Sequence, residues 1–199
     1  MPATLEVWYE FASTYSHVAV QRVEALAAKA GVPLAWRVFL LGPIFREQGW
    51  NDSPFNIYPA KGAYMWRDVE RRCAKFGIPF RKPTQFPRNG LTAARAALVA
   101  EDEPWIGRFV RAVYLANFAE DHDIADPARV RALLATAGCA DPDALLARAS
   151  SAENKEHLRT RSHAAVAHGI FGAPSFVVNG ELFWGDDRLE DALEWSRRA

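Results

Sequence analysis

Ser13 and Ser16, spaced as S-x-x-S in "FASTYSH", stand where a strand-like run, "LEVWY", hands over to a helix-like run. A hydroxyl at that junction does one of two jobs. It caps the helix by accepting from a backbone N–H, or it offers its own proton to an anion at the helix start, where the dipole favours negative charge. Far along the chain, "GAPSF" places Ala173 and Pro174 at the opening of a strand, a position sheets tolerate for proline. "WGDDRL" follows, with Trp184, Asp186 and Asp187; both acids suit N-cap positions, and Asp187 with Glu190 fits the D-x-x-E capping pattern. Lys61 in "PAK" is either a solvated surface residue or a compact cation for a substrate carboxylate. Asn51 in "QGWN" can donate to a ring or carbonyl oxygen, Asn56 competes for that role, and Asn89 in "FPRNG" reads first as an Asn-Gly turn.

Redox and metal chemistry find less support. Cys73 and Cys139 do not form C-x-x-C, and with only two cysteines the common metal-site spacings are absent. The five histidines show no H-E-x-x-H or comparable spacing, so no metal site is read. His17 follows Ser13 closely and reads as a surface or core histidine. "ERRCAK" and "RTRSH" read as solvated helix faces.

The elements that must position these residues follow from periodicity and turn signals. Residues 4–11 read as a buried strand, 15–30 as a helix stopped by "GVP", and 34–41 as a second strand. That order favours a parallel pair joined by a crossover. Residues 42–60 lack periodicity and read as an ordered, irregular loop. Helices are expected at 61–77, 90–101, 104–121, 127–137, 143–149 and 153–168. Residues 174–185 read as a hairpin about Asn179-Gly180, followed by a last helix. The chain is therefore β-α-β, a helical block, then β-β-α: a thioredoxin-like α/β fold with an all-helical insertion. Its domains are 1–60 with 169–199, and 61–168.

With that order, four stretches acquire a common meaning. "FASTYSH", "PAKGAYMWRDVERRCAKFGIPF", "FPRNGLTAARAAL" and "GIFGAPSFVVNGELFWGDDRL" together resemble the 2-hydroxychromene-2-carboxylate isomerases, within the DsbA-like and kappa-class glutathione transferase group. In redox relatives the first helix opens with C-x-x-C. Here Ser-Thr-Tyr-Ser occupies that place, so disulfide exchange at this site is chemically excluded. The family often has proline second in the unit, and this chain has Thr14.

The resemblance implies glutathione as cofactor and gives each candidate a role. Ser13 would hold the glutathione thiolate. A helix start contributes about 0.3–1 kcal/mol and a hydrogen bond to a charged group about 1.5–3 kcal/mol, enough to lower a thiol pKa by about one to three units. Pro174 would be cis, turning the Ala173 backbone toward the cysteinyl part of the tripeptide. The turn bearing Asp186 and Asp187 would take the γ-glutamyl end, Asp187 being the better fit, with Trp184 walling the pocket. Lys61, with Asn51 or Asn56, would face the organic substrate.

Three functions remain open: isomerisation of an aromatic-catabolism intermediate, kappa-type conjugation of glutathione to an electrophile, or a non-catalytic thioredoxin-fold binding module. The expected partner is a small aromatic carboxylate, and the resemblance implies a homodimer. Half the residues are hydrophobic and 24 basic residues balance 24 acidic ones, which argues against non-specific attraction to nucleic acid or anionic membrane. The N-terminus lacks a basic-then-apolar segment and no run suits a membrane span, so a reducing cytoplasmic setting is expected.

Overall fold

The computed structural model describes residues 2–198. Strand β1 (Leu5–Tyr9) leads through α1 (Thr14–Val20) and α2 (Val23–Ala30) to β2 (Leu34–Val38). The chain then runs through α3 (Leu41–Glu47), α4 (Pro54–Ile57), α5 (Pro59–Phe76), α6 (Leu91–Val99), α7 (Ile106–Phe118), α8 (Pro127–Ala137), α9 (Pro142–Ala149) and α10 (Ala152–Ala167). It closes with β3 (Ser175–Val178), β4 (Glu181–Trp184), a 3-10 turn (Asp186–Arg188) and α11 (Leu189–Arg198). The sheet order is β2-β1-β3-β4. β1 and β2 are parallel, with Leu5 opposite Leu34 and Tyr9 opposite Val38; β3 is antiparallel to both β1 and β4.

The alternation of β1 determines which side chains meet which layer. Leu5, Val7 and Tyr9 join the main core with Phe109, Val113 and Tyr114 of α7, and with Leu189 and Ala192 of α11. Trp8 points the other way, into a smaller cluster with Phe39, Ile44, Ala165 and Ile170. The inserted helices thus share one core with the sheet. Tyr9 and Phe11 meet edge to face at 5.4 Å between ring centroids, and Phe11 lies 5.3 Å from Tyr114. Each such pair contributes about 0.5–1.5 kcal/mol beyond its burial. The hairpin turn has φ of 49° at Asn179 and 83° at Gly180, the left-handed pair that a two-residue hairpin loop requires.

Two expectations need correction. The helix expected at 15–30 is broken at Gln21–Arg22. There Gln21 Nε2 donates to Arg111 O at 3.2 Å, and the Arg22 guanidinium lies 3.6 Å over the Phe76 ring while pairing with Glu190. The stretch 42–60 is not an irregular loop: it holds α3 and α4, and α5 already begins at Pro59. Pro54 and Pro59 each sit at a first helical turn, where a missing N–H costs nothing. Among the described residues no helix is long and apolar enough to cross a membrane.

Candidate active site

The end of β1 is held from the helical block. Tyr114 Oη donates to Glu10 O at 2.6 Å, and Asn117 Nδ2 donates to Phe11 O at 3.1 Å. Arg88, itself buried, donates to both Asn117 O and Asn117 Oδ1 at 3.2 Å. Gly90 presses on the same turn, since a Cβ there would lie 2.8 Å from Phe11 Cβ. These contacts fix the backbone just before Ser13.

Ser13 caps α1, its Oγ accepting from Ser16 N at 3.2 Å. The same Oγ donates to Ala173 O at 2.7 Å. The Ala173–Pro174 peptide is cis, as is Phe86–Pro87. Ala173 O thus already accepts one hydrogen bond, whereas Ala173 N–H has no acceptor among the described residues. Beside Ser13, Thr14 Oγ1 is buried without a partner, as is Ser16 Oγ. Such orphaned hydroxyls carry a desolvation cost of about 1–3 kcal/mol each. α1 has only seven residues, so its dipole is a modest contributor.

The turn after β4 joins this group through Gly185 N, which donates to Pro174 O at 3.0 Å. Trp184 is half exposed, 4.8 Å from the Phe171 ring, and lies over Gly172, where a Cβ would come within 2.5 Å of its Nε1. Neither acid caps the helix: the turn begins at Gly185 without a side-chain cap, and Glu190 is committed to Arg22. Asp186 is buried, its Oδ2 receiving Arg72 Nε at 2.6 Å and Nη2 at 2.5 Å. Burial still pushes its carboxyl up to about 6, with the Arg72 charge opposing. Asp187 is exposed and bonds Arg188 Nη2 at 3.0 Å. Of the two, Asp187 is the more accessible to a ligand.

The structure thus gathers Ser13, Ala173, Pro174, Trp184, Asp186 and Asp187. It does not tie Lys61 or Asn51 to that group. Lys61 is exposed in the first turn of α5, its Nζ 4.7 Å from the Tyr58 ring. Asn51 is exposed and, among the described residues, makes no side-chain hydrogen bond, whereas Asn56 Nδ2 donates to Asp52 Oδ2 at 3.1 Å and Phe86 O at 3.2 Å. Asn89 Oδ1 accepts from Leu91 N at 2.9 Å, a local turn contact beside Gly90.

Several residues of the surroundings were not singled out by type or spacing. Arg72 belongs to a stretch read as solvated, yet it reaches Asp186; Arg161 likewise meets Glu101 at 2.8 Å. Glu10 follows β1, its carboxyl oxygen accepting from Ala12 N at 3.0 Å, and burial pushes its pKa up to about 7. His17 lies in the core between Tyr114 and Phe118, with Nε2 3.0 Å from Pro79 O, and burial pushes its pKa down to about 4. Both cysteines are free; Cys73 is buried and its thiol is pushed up to about 12, so it offers no reactive thiolate.

A parallel β1–β2 pair, an antiparallel β3–β4 hairpin and a cis proline facing the start of the first helix define a thioredoxin-type fold. The chain belongs to the family of DSBA-like thioredoxin domains, whose family model matches residues 4–194. It is 29% identical to a 2-hydroxychromene-2-carboxylate isomerase of Sphingobium xenophagum, over 96% of each chain. It is 27% identical to glutathione S-transferase kappa 1 of Rattus norvegicus, over 95% of this chain and 88% of that one. The solved structure of a 2-hydroxychromene-2-carboxylate isomerase superposes with a TM-score of 0.85 at 23% identity, covering 98% of this chain and 95% of the other. The cytosolic disulfide reductase DsbM of Pseudomonas aeruginosa, solved with GSH, superposes at 0.69 with 16% identity over 98% and 96% of the two chains.

Proposed function

We propose that the chain is a glutathione-dependent isomerase that interconverts 2-hydroxychromene-2-carboxylate and trans-o-hydroxybenzylidenepyruvate. The observation that carries this reading is the Ser13 hydroxyl, which stands at the start of α1 in direct hydrogen bond to the cis-Pro174 loop. The residues fit a thiol brought from outside: the site has no cysteine of its own, Ala173 N–H is unused, and Thr14 Oγ1 is an unpartnered buried donor beside Ser13.

When bound, glutathione supplies a sulfur that adds reversibly to the conjugated carbon and departs once the intervening bond has rotated. Ser13 turns its proton from Ala173 O toward the sulfur and holds the anionic form. Ala173 pairs with the cysteinyl backbone, and Asp187 accepts from the γ-glutamyl ammonium. Lys61 meets the substrate carboxylate, with Asn51 or Asn56 donating to a substrate oxygen as negative charge develops there. Trp184 covers the peptide's flank.

The test mixes purified protein with the chromene substrate, with and without glutathione. Turnover should require the thiol; equal turnover without it refutes the reading. The comparable identity to the rat kappa enzyme favours conjugation to an electrophile as the second reading. Accumulation of conjugate from a model haloarene, with no chromene turnover, would select it.

A further inference from the structure

A cavity of about 240 Å³ lies where α3, α6 and α10 meet, and it shares no residue with the Ser13 group. Its floor is apolar, formed by Leu40, Leu91 and Leu158, while Arg46, Arg95, Lys155, Arg159 and His163 reach its walls and no carboxylate does. Lys155, Arg159 and His163 recur every fourth residue along α10, so one face of that helix supplies three of these groups.

Most arginines of this electrically balanced chain are paired, but these largely are not. Arg159 is held by Glu156. Among the described residues, Arg46, Arg95 and Lys155 have no ion-pair partner, and the cavity walls hold no carboxylate that could supply one. Unpaired cations gathered over an apolar floor favour an anionic occupant. The walls are also tied together. Leu40 N donates to Ser162 Oγ at 3.1 Å, and Asn154 Nδ2 donates to Arg95 O at 3.1 Å, linking α10 to the start of α3 and to α6.

We propose that this cavity is a second binding site, separate from the thiol cradle, for a small organic acid whose carboxylate engages Arg95 and whose apolar body of one or two rings rests on the leucines. A guanidinium fork matches a carboxylate in two parallel hydrogen bonds. The volume exceeds the roughly 150 Å³ that holds a benzene and falls below the roughly 300–1,000 Å³ typical of larger ligands.

The test is calorimetric titration of the whole protein with 2-naphthoate, its uncharged amide 2-naphthamide, and inorganic phosphate. Expected are saturable one-to-one binding of the acid and binding of the amide and of phosphate at least about tenfold weaker, the loss of a charge-assisted pair. Arg95→Gln should weaken naphthoate about tenfold and Lys155→Gln less, while Lys61→Met and added glutathione leave it unchanged. If Arg95→Gln does not fold, Leu40→Trp, which fills the floor from a partly buried position, must abolish binding with the fold intact by circular dichroism. The proposal is overturned by no saturable binding of the acid, by equal binding of acid and amide, by phosphate binding as tightly, or by naphthoate loss on Lys61→Met with Arg95→Gln silent.

Discussion

The two sides of the candidate active site are built differently. On the sheet side, Ser13, the 172–174 loop and the turn after β4 are bonded to one another and backed by buried groups, from Tyr114 and Asn117 below to Arg72 at the flank. On the helical side, Asn51 stands exposed between α3 and α4 and Lys61 stands exposed in the first turn of α5, both with few fixed contacts. Atoms that must hold a small anion in one geometry need a rigid frame. Groups that meet a variable organic substrate need only reach and charge. Changes on the sheet side should therefore disturb both stability and turnover, and changes on the helical side only substrate handling.

The largest effect expected is at Arg72. Arg72→Met leaves the buried Asp186 carboxylate unpaired and should lower stability by about 3 kcal/mol at neutral pH. Chemical denaturation should show the loss shrinking toward pH 5, because a carboxyl already raised to about 6 takes up a proton there. Adding Asp186→Leu should restore most of the stability; if it does not, the pair is more than a structural strut.

Ser13→Ala should reduce turnover about a hundredfold, the effect of losing one preorganised donor, with glutathione affinity little changed. The lost cap should cost about 1 kcal/mol in denaturation. A loss of activity no larger than the loss of folded protein would leave Ser13 as a cap alone.

Glu10 tests the frame through pH. Its carboxyl, ordinarily near 4.5, is raised to about 7, so the folded protein holds a proton there that the unfolded chain has released. That contribution is present below 4.5 and lost as pH rises through 7, whereas His17, lowered to about 4, favours the fold above its ordinary 6.5 and withdraws that support as pH falls. Glu10→Gln removes only the first of these. The variant's stability relative to the parent should therefore rise between pH 4.5 and 7, by about 1–3 kcal/mol; a flat difference would mean that Glu10 titrates normally. The smallest effect belongs to the helical side. Lys61→Met should raise KM for the carboxylate substrate about fivefold with kcat and stability unchanged, an exposed charge pair being worth about 1 kcal/mol at most.

The legible parts of the chain were those where local chemistry agrees with tertiary need. "LEVWY" is short and almost continuously apolar, as a strand buried on both faces must be, and Asn179-Gly180 supplies the two left-handed residues of the hairpin. The order of elements, and with it the meeting of Ser13 and Ala173, followed from those signals and the resemblance they supported. What escaped depended on distance in space. The break at Gln21–Arg22 has no glycine or proline to announce it and comes with contacts to Arg111, Phe76 and Glu190. α3 and α4 are seven and four residues long, too short for periodicity to register, although Ser53-Pro54 is a cap followed by a first-turn proline. Arg72 looked like any basic residue on a helix face because its partner lies 114 positions away.

The hydrogen bond from Ser13 to Ala173 sets a condition on the proposed reaction. The only proton that Ser13 can give is already given, to the carbonyl of Ala173. An arriving sulfur must outcompete that oxygen. A neutral thiol, the poorer acceptor, cannot, but an anion attracts the hydroxyl more strongly than a peptide carbonyl does. In that proposed reaction the resting bond would favour the thiolate over the neutral thiol, so selection would begin before any substrate arrives.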